Sequence, residues 1–302
     1  MLSKTLAIVG PTASGKSDLA IQIALELGSA EVINADAMQL YRGMDIGTAK
    51  LSQEDRKGIR HHLIDVAEID QEVTAVQYRQ MAHAVVEDLA IRRVTPIFAG
   101  GSMFYLASTL DVLDFSPTDD LVRERLEAEA EVIGAKAMHD RLRSLDALSA
   151  QRIPSQNQRR VIRALEVIEL TGKPYPSSLP EPQYVRPTLQ LGINVDRELL
   201  KERIRARVER MWEQGLLDEV AALQESGRRF SRTARVAIGY EQAARQLSGE
   251  LTESKAIEET ISLTSRYARR QMSWFRRDSR ILWLDSQQNL LEQAIERIRL
   301  SS

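Results

Sequence analysis

Cysteine is missing from all 302 residues. This excludes disulfides, thiolate zinc sites and a thiol nucleophile, and it suits a reducing, cytoplasmic setting. No apolar run approaches the roughly 20 residues that a membrane-spanning helix needs, so no membrane association is expected. A strand-like run begins within a few residues of Met1, and no signal or transit peptide is expected. Strong charge of either sign is lacking too. Lys and Arg number 41 against 43 Asp and Glu, a formal net charge of -2, without the excess of a basic nucleic-acid-binding chain. No internal repeat or low-complexity segment is present. Nowhere does an Asn-Lys-x-Asp string occur, which argues against a guanine-reading switch. The remainder, 43 % hydrophobic and 28 % charged, is ordinary globular composition.

Against these absences stands one strong local signal. Gly10-Pro11-Thr12-Ala13-Ser14-Gly15-Lys16-Ser17 fits G-x-x-x-x-G-K-[ST]. The apolar run Thr5–Val9 precedes it, and a helical pattern (Leu19, Ala20, Ile23, Ala24, Leu27) follows. In that context backbone N–H groups converge on phosphate oxygens, with Lys16 and the helix N-terminus adding positive charge. The Ser17 hydroxyl is placed to ligate Mg²⁺. A P-loop alone leaves kinases, GTPases and other phosphate-binding enzymes open.

The spacing predicts strands over 5–10, 31–35, 63–66 and 94–99 and helices over 16–27 and 74–92, a β-α-β order that implies a parallel sheet flanked by helices. Residues 118–172 read as charged helices only (119–132, 135–145 and 158–171). Pro174, Pro176, Pro180, Pro182 and Pro187 then mark an irregular return. Strand character resumes at 189–195, with helices near 197–214, 216–225 and 253–276, a strand at 281–284 and a helix near 287–299. The expected architecture is a P-loop NTPase-like α/β core, 1–115 with 188–302, carrying a helical insertion domain, 116–187.

Asp36 follows the second strand at the sheet edge onto which the P-loop opens, the edge where open α/β sheets bind ligands. A carboxylate there can act as a base, ligate Mg²⁺ through water, or merely cap the next helix. On the insertion, Arg159 and Arg163 share a helix face and can reach RNA phosphates, unless Glu166 pairs with them. From Arg266 to Arg280 run Arg266, Arg269, Arg270, Arg276, Arg277 and Arg280 against Asp278, a basic patch despite the neutral whole. In the same stretch Tyr267, Gln271 and Trp274 form one stripe expected to pack inward. His61-His62 point opposite ways and do not make a shared metal site; His83 and His139 are expected at the surface.

The string Asp36-Ala37-Met38-Gln39-Leu40-Tyr41-Arg42-Gly43-Met44-Asp45-Ile46-Gly47-Thr48-Ala49-Lys50 resembles a signature of the bacterial tRNA dimethylallyltransferases (tRNA isopentenyltransferases). Ala99–Tyr105, Asn157–Glu166 (containing Arg159, Arg160, Val161, Ile162 and Arg163) and Arg266–Arg276 resemble the same family in the same order. The resemblance implies transfer of the dimethylallyl group from dimethylallyl diphosphate to N6 of an adenine beside the anticodon of certain tRNAs, with Mg²⁺ and release of diphosphate. It implies Asp36 as base, Lys16 and the P-loop on the leaving group, and Ser102 (usually Thr) beside the reacting atoms. It places tRNA on Asp36, Ala37, Met38, Gln39, Ser102, Arg123, Arg159–Arg163, Arg266, Arg269 and Arg270, with Gln39 reading the extruded adenine. Tyr41 either braces the nucleotide with Arg42 or packs in the core. The chain departs from the family at Ala37 (commonly Ser), at Ser155-Gln156 (usually Pro-Asn) and at Val236, where the diphosphate Arg is expected; Arg235, one residue away, is the substitute candidate. A monomer is expected. The alternative is a P-loop kinase of a nucleotide or other small molecule, with the insertion as its lid.

Overall fold

The computed structural model describes residues 4–176 and 180–301; Ser177, Ser178 and Leu179 of the proline-marked return lie outside the described residues. The described residues divide into two units, one of residues up to Val112 and from Tyr184 onward, the other Leu113–Gln183.

In the first unit, strands β1 (Thr5–Val9), β2 (Ala30–Asn34), β3 (His61–His62), β4 (Thr95–Ala99), β5 (Thr188–Asn194) and β6 (Leu282–Asp285) form one sheet in the order β3-β2-β4-β1-β5-β6. Every pairing is parallel. The third strand is the histidine pair itself and not 63–66. Leu63 and Asp65 have φ of 58° and 56°, which breaks the extended chain there.

Side chains alternate across the sheet as a period of two requires. Leu6, Ile8, Val32 and Ile97 pack with α1 (Lys16–Leu27), while Ala7, Val9, Ile33 and Phe98 face α2 (Ala75–Ile91) and α3 (Met103–Leu110). Thr74 starts α2 with a capping box, its hydroxyl accepting from Gln77 N–H while Gln77 returns to the Thr74 N–H.

The second unit comprises α4 (Asp120–Leu145), α5 (Ala147–Arg152) and α6 (Gln158–Thr171). The two helices expected over 119–145 are joined in α4 across Gly134, whose φ of 84° marks the kink. After β5 the first unit continues with α7 (Arg197–Glu213), α8 (Leu216–Glu225), α9 (Arg232–Arg235), α10 (Tyr240–Leu247), α11 (Glu253–Phe275) and α12 (Leu290–Leu300). Helices α7, α8, α10 and α11 bury Ile204, Val208, Leu216, Tyr240 and Ala268 in a separate core with Tyr41 and Met44.

The return to the sheet begins earlier than residue 188. The Arg280 guanidinium lies 3.8 Å from the centre of the Tyr184 ring. Gln190 donates to the Tyr184 hydroxyl at 2.9 Å, and Val185 N–H donates to Leu110 O at 2.9 Å. Arg280 is also paired with Asp111 and Asp278. It thus holds the sheet's margin, apart from the exposed arginines earlier in its segment.

Candidate active site

The strand order sets the site. β2, β4 and β1 are adjacent, so the loops leaving their C-terminal ends lie side by side. These loops carry Asp36, Ser102 and the P-loop. In the P-loop, Gly15 has φ 87° and Ala13 φ 62°, the left-handed conformation that turns successive N–H groups to one side. The buried Ser14 hydroxyl meets no partner among the described residues. The Lys16 ammonium donates to Pro11 O at 2.5 Å. Burial pushes Lys16 down to about 7; the Asp36 carboxylate opposes that shift and Arg207 adds to it.

Asp36 does two things. One carboxylate oxygen accepts from Met38 N–H at 3.0 Å, capping the single 3-10 turn Met38–Leu40. Its charge also acts on Lys16, on Arg207 and on Tyr267, whose hydroxyl burial pushes up to about 12. The capping reading and the base reading are therefore compatible. Ser102 begins α3 without capping it. Its Oγ instead accepts from Ala37 N–H at 2.8 Å, and the hydroxyl also meets that of Tyr267. Gly100 has no room for a side chain: an added Cβ would stand 2.2 Å from Ala35 C and O. The pair of glycines thus lets the Ser102 loop press against the Asp36 loop.

The Asp36–Lys50 string is tied down both by its own residues and by neighbouring elements. Lys50, its side chain 4 % exposed, donates to Tyr41 O, Asp45 and Asp65. Glu219 of α8 accepts the backbone N–H groups of Asp45, Ile46 and Gly47, and the Tyr240 hydroxyl. The loop closes so that Thr48 O receives Gln39 Nε2 at 3.1 Å and Arg207 Nη2 at 3.2 Å. Gln39 and Ser17 share a recess with Asn34, Leu51, His61 and Ile64. Tyr41 is in the core and Arg42 pairs with Glu68, so stacking by Tyr41 on a nucleotide is ruled out.

Arg207 is the residue that sequence reasoning missed. It is one of many cations on α7, and only its alignment with the buried stripe Ile204, Val208 and Met211 marked it as inward-facing. The charges that act on Lys16 are those of Asp36 and Arg207. Arg235, by contrast, is exposed on the four-residue α9.

In the helical unit the expected RNA contacts separate. Arg159 and Arg160 are exposed. Val161 and Ile162 are core residues packed with Leu126 and Leu142, so their side chains are withdrawn from any RNA; helical periodicity puts two of five consecutive residues inside. Arg163 and Arg123 both grip Glu166, which is fully buried, and Arg163 also donates to Ser116 O and Pro117 O. These two cations hold a buried carboxylate. His139 is likewise inside, its Nε2 contacting Ala150 O and Ile153 O. On α11, Arg266, Arg269 and Arg270 are exposed while Gln271 is buried and Trp274 partly so.

The chain has extensive likeness to known proteins in both sequence and fold. The family model described as IPP transferase matches residues 39–278. A tRNA dimethylallyltransferase of Thermobifida fusca is 52 % identical over 287 residues, 94 % of this chain and 90 % of the relative. One of Streptomyces avermitilis is 50 % identical over 281 residues, 93 % and 90 % of the two chains. Among solved structures, the full-length tRNA isopentenylpyrophosphate transferase of Bacillus halodurans superposes with a TM-score of 0.73 at 34 % identity, covering 99 % of this chain and 95 % of that one. A eukaryotic dimethylallyltransferase acting on tRNA superposes at 0.80 with 25 % identity, covering 99 % and 80 %. Motif, topology and near-full-length similarity agree: the chain belongs to the IPP transferase family.

Proposed function

We infer that this enzyme transfers the dimethylallyl group from dimethylallyl diphosphate to N6 of the adenine 3′ to the anticodon of certain tRNAs, in the cytoplasm, releasing diphosphate. The observation that carries the reading is the electrostatic grouping of Lys16, Arg207 and Asp36 at one end of β1, β4 and β2. Breaking the allylic C–O bond builds negative charge on the diphosphate. Lys16, Arg207 and the P-loop amides are positioned for that charge, and such preorganised stabilisation is usually the largest catalytic contribution. Burial lowers the Lys16 ammonium, and an anion seated on it would favour its charged form.

The acceptor is an aromatic amine, a weak nucleophile. The second oxygen of Asp36, which takes no hydrogen bond from any described residue, accepts its proton as the C–N bond forms. Ser102, whose hydroxyl meets that of Tyr267, turns its proton to a substrate atom at the same place when substrate binds. Gln39, its amide oriented by Thr48 O, reads the edge of the extruded adenine. Arg159, Arg160, Arg266, Arg269 and Arg270 are the exposed cations offered to tRNA phosphates.

Ser17 would hold Mg²⁺, with Asp36 reached only through water, and the ion when bound would neutralise diphosphate charge. Among the described residues no group of three or more acids or histidines could hold a metal alone. That donor set fits a cation held mainly by substrate oxygens and water.

Incubation with labelled dimethylallyl diphosphate, Mg²⁺ and unmodified tRNA, followed by nucleoside analysis, tests the reading. Label on adenosine N6 is expected. ATP turnover with a soluble acceptor and no labelled tRNA would establish the kinase alternative instead.

A further inference from the structure

One buried amide joins the leaving-group cradle to the loop that carries the base. Gln271 of α11 is 1 % exposed. Its Oε1 accepts from Thr12 N–H in the P-loop at 2.9 Å, and its Nε2 donates to Gly101 O at 2.9 Å. The orientation is dictated by chemistry, since Thr12 offers only a donor and Gly101 only an acceptor. An added Cβ on Gly101 would stand 2.1 Å from the Gln271 nitrogen, so the amide seats directly on that loop. From Gly101 the chain passes to Ser102, whose Oγ holds Ala37 N–H at 2.8 Å, and Ala37 follows Asp36. The path from cradle to base is thus Thr12, Gln271, Gly101–Ser102 and Ala37–Asp36, with a side-chain hydrogen bond at each crossing between loops.

We propose that Gln271 is a positioning residue for prenyl transfer: its amide sets the separation between the diphosphate cradle and Asp36, and hence between the carbon that leaves and the amine that captures it. The proposal rests on the transferase reading above. Gln271, buried behind both loops, acts through them and not on substrate. Misplacement of reacting groups by an ångström lowers rate about 10²-fold without abolishing binding, so the signature is a loss in kcat with KM values little changed.

Three variants test it. Q271L keeps the volume and removes the hydrogen bonds to Thr12 and Gly101 along with that to the Tyr267 hydroxyl; its kcat is expected to fall about 10–100-fold while the KM for tRNA stays within about two-fold. Q271E retains the acceptor for Thr12 but, ionised, cannot donate to Gly101 O. Its buried carboxyl has a raised pKa, and once protonated it both accepts and donates as the amide does. The ratio of Q271E to parent activity is therefore expected to rise as pH falls from 8 to 6. Q271M, flexible and apolar, serves if Q271L does not fold. Hydrogen exchange gives a readout independent of turnover: peptides spanning 10–17 and 99–104 are expected to exchange faster together in Q271L. Parent-like kcat in Q271L or Q271M overturns the proposal. So does exchange confined to one of the two loops, or a Q271E deficit independent of pH. Failure of the parent to label tRNA would instead sink the functional reading, with the exchange experiment still deciding whether Gln271 couples the loops.

Discussion

Asp36 is asked both to hold the Met38 amide and to accept a proton, and the two demands separate on substitution. Asp36→Asn keeps an oxygen for the cap, so folding and binding of both substrates are expected to persist while kcat falls about 10²–10⁴-fold, the usual worth of a general base. Arg207 and Arg235 compete for the role of diphosphate arginine. Arg207→Ala removes a cation that acts on Lys16 and Asp36. It is expected to lower kcat/KM for the donor about 10²-fold, the scale of one lost charge-stabilising donor; Arg235→Ala should stay within about three-fold, since an exposed cation there gains little from a screened anion. Steady-state kinetics on the two variants, side by side, decide between them. Asp36 was legible as sequence because it follows a strand end, and Lys16 because it closes the P-loop motif. Arg207 was not, because only the packing of α7 brings it there.

At the scale of elements, the Asp36–Lys50 loop is held from outside by α8. Glu219 satisfies three consecutive backbone N–H groups, which would otherwise be left short of partners. Glu219→Ala is expected to destabilise the fold by about 1–3 kcal/mol, as for unsatisfied donors, read from urea midpoints. It should also lower kcat/KM for tRNA more than for the donor, because the same loop orients Gln39. Within the helical unit, Arg163→Ala strips a fully buried carboxylate of one of its two cations. Arg123 and the Asp119 N–H still hold Glu166, so a loss of about 1–3 kcal/mol is expected, the scale of a hydrogen bond to a charged group, seen as earlier melting of that unit by calorimetry. Arg159→Ala, exposed on the same helix, should leave melting unchanged and weaken tRNA binding, with the salt slope reduced by about one. The helix pattern over 158–171 was plain from periodicity. Which of its arginines face solvent depended on Glu166, whose complete burial no local rule reveals.

Across the whole molecule, acid stability offers a check on the fold. Hydrogen bonds from Arg92, and secondarily from His62, hold Glu31 down to about 2 against burial. A depressed carboxylate contributes stability above its ordinary value of 4.5, and that contribution is lost as pH falls toward 2. The gap in urea midpoint between the parent and Glu31→Gln should therefore be full at pH 7, shrink below about pH 4.5 and close near pH 2. A gap that widened in acid would contradict the pairing of β2 with the end of α2.

Short-range pattern suffices for the P-loop, the alternation of β1 and β4, the helix boundaries at Lys16 and Arg197 and the string that marks the family. Each of these depends on residues a few positions apart, whose geometry the backbone dictates locally. Other features belong to the fold alone: the β2-β4-β1 order that sets three loops abreast, Arg207 brought beside Lys16 and Asp36, Glu219 under the signature loop, and the Gln271 amide joining residues 259 positions apart. These depend on parallel crossovers and helix packing between distant segments, and no spacing along the chain encodes which polar group will be buried opposite which.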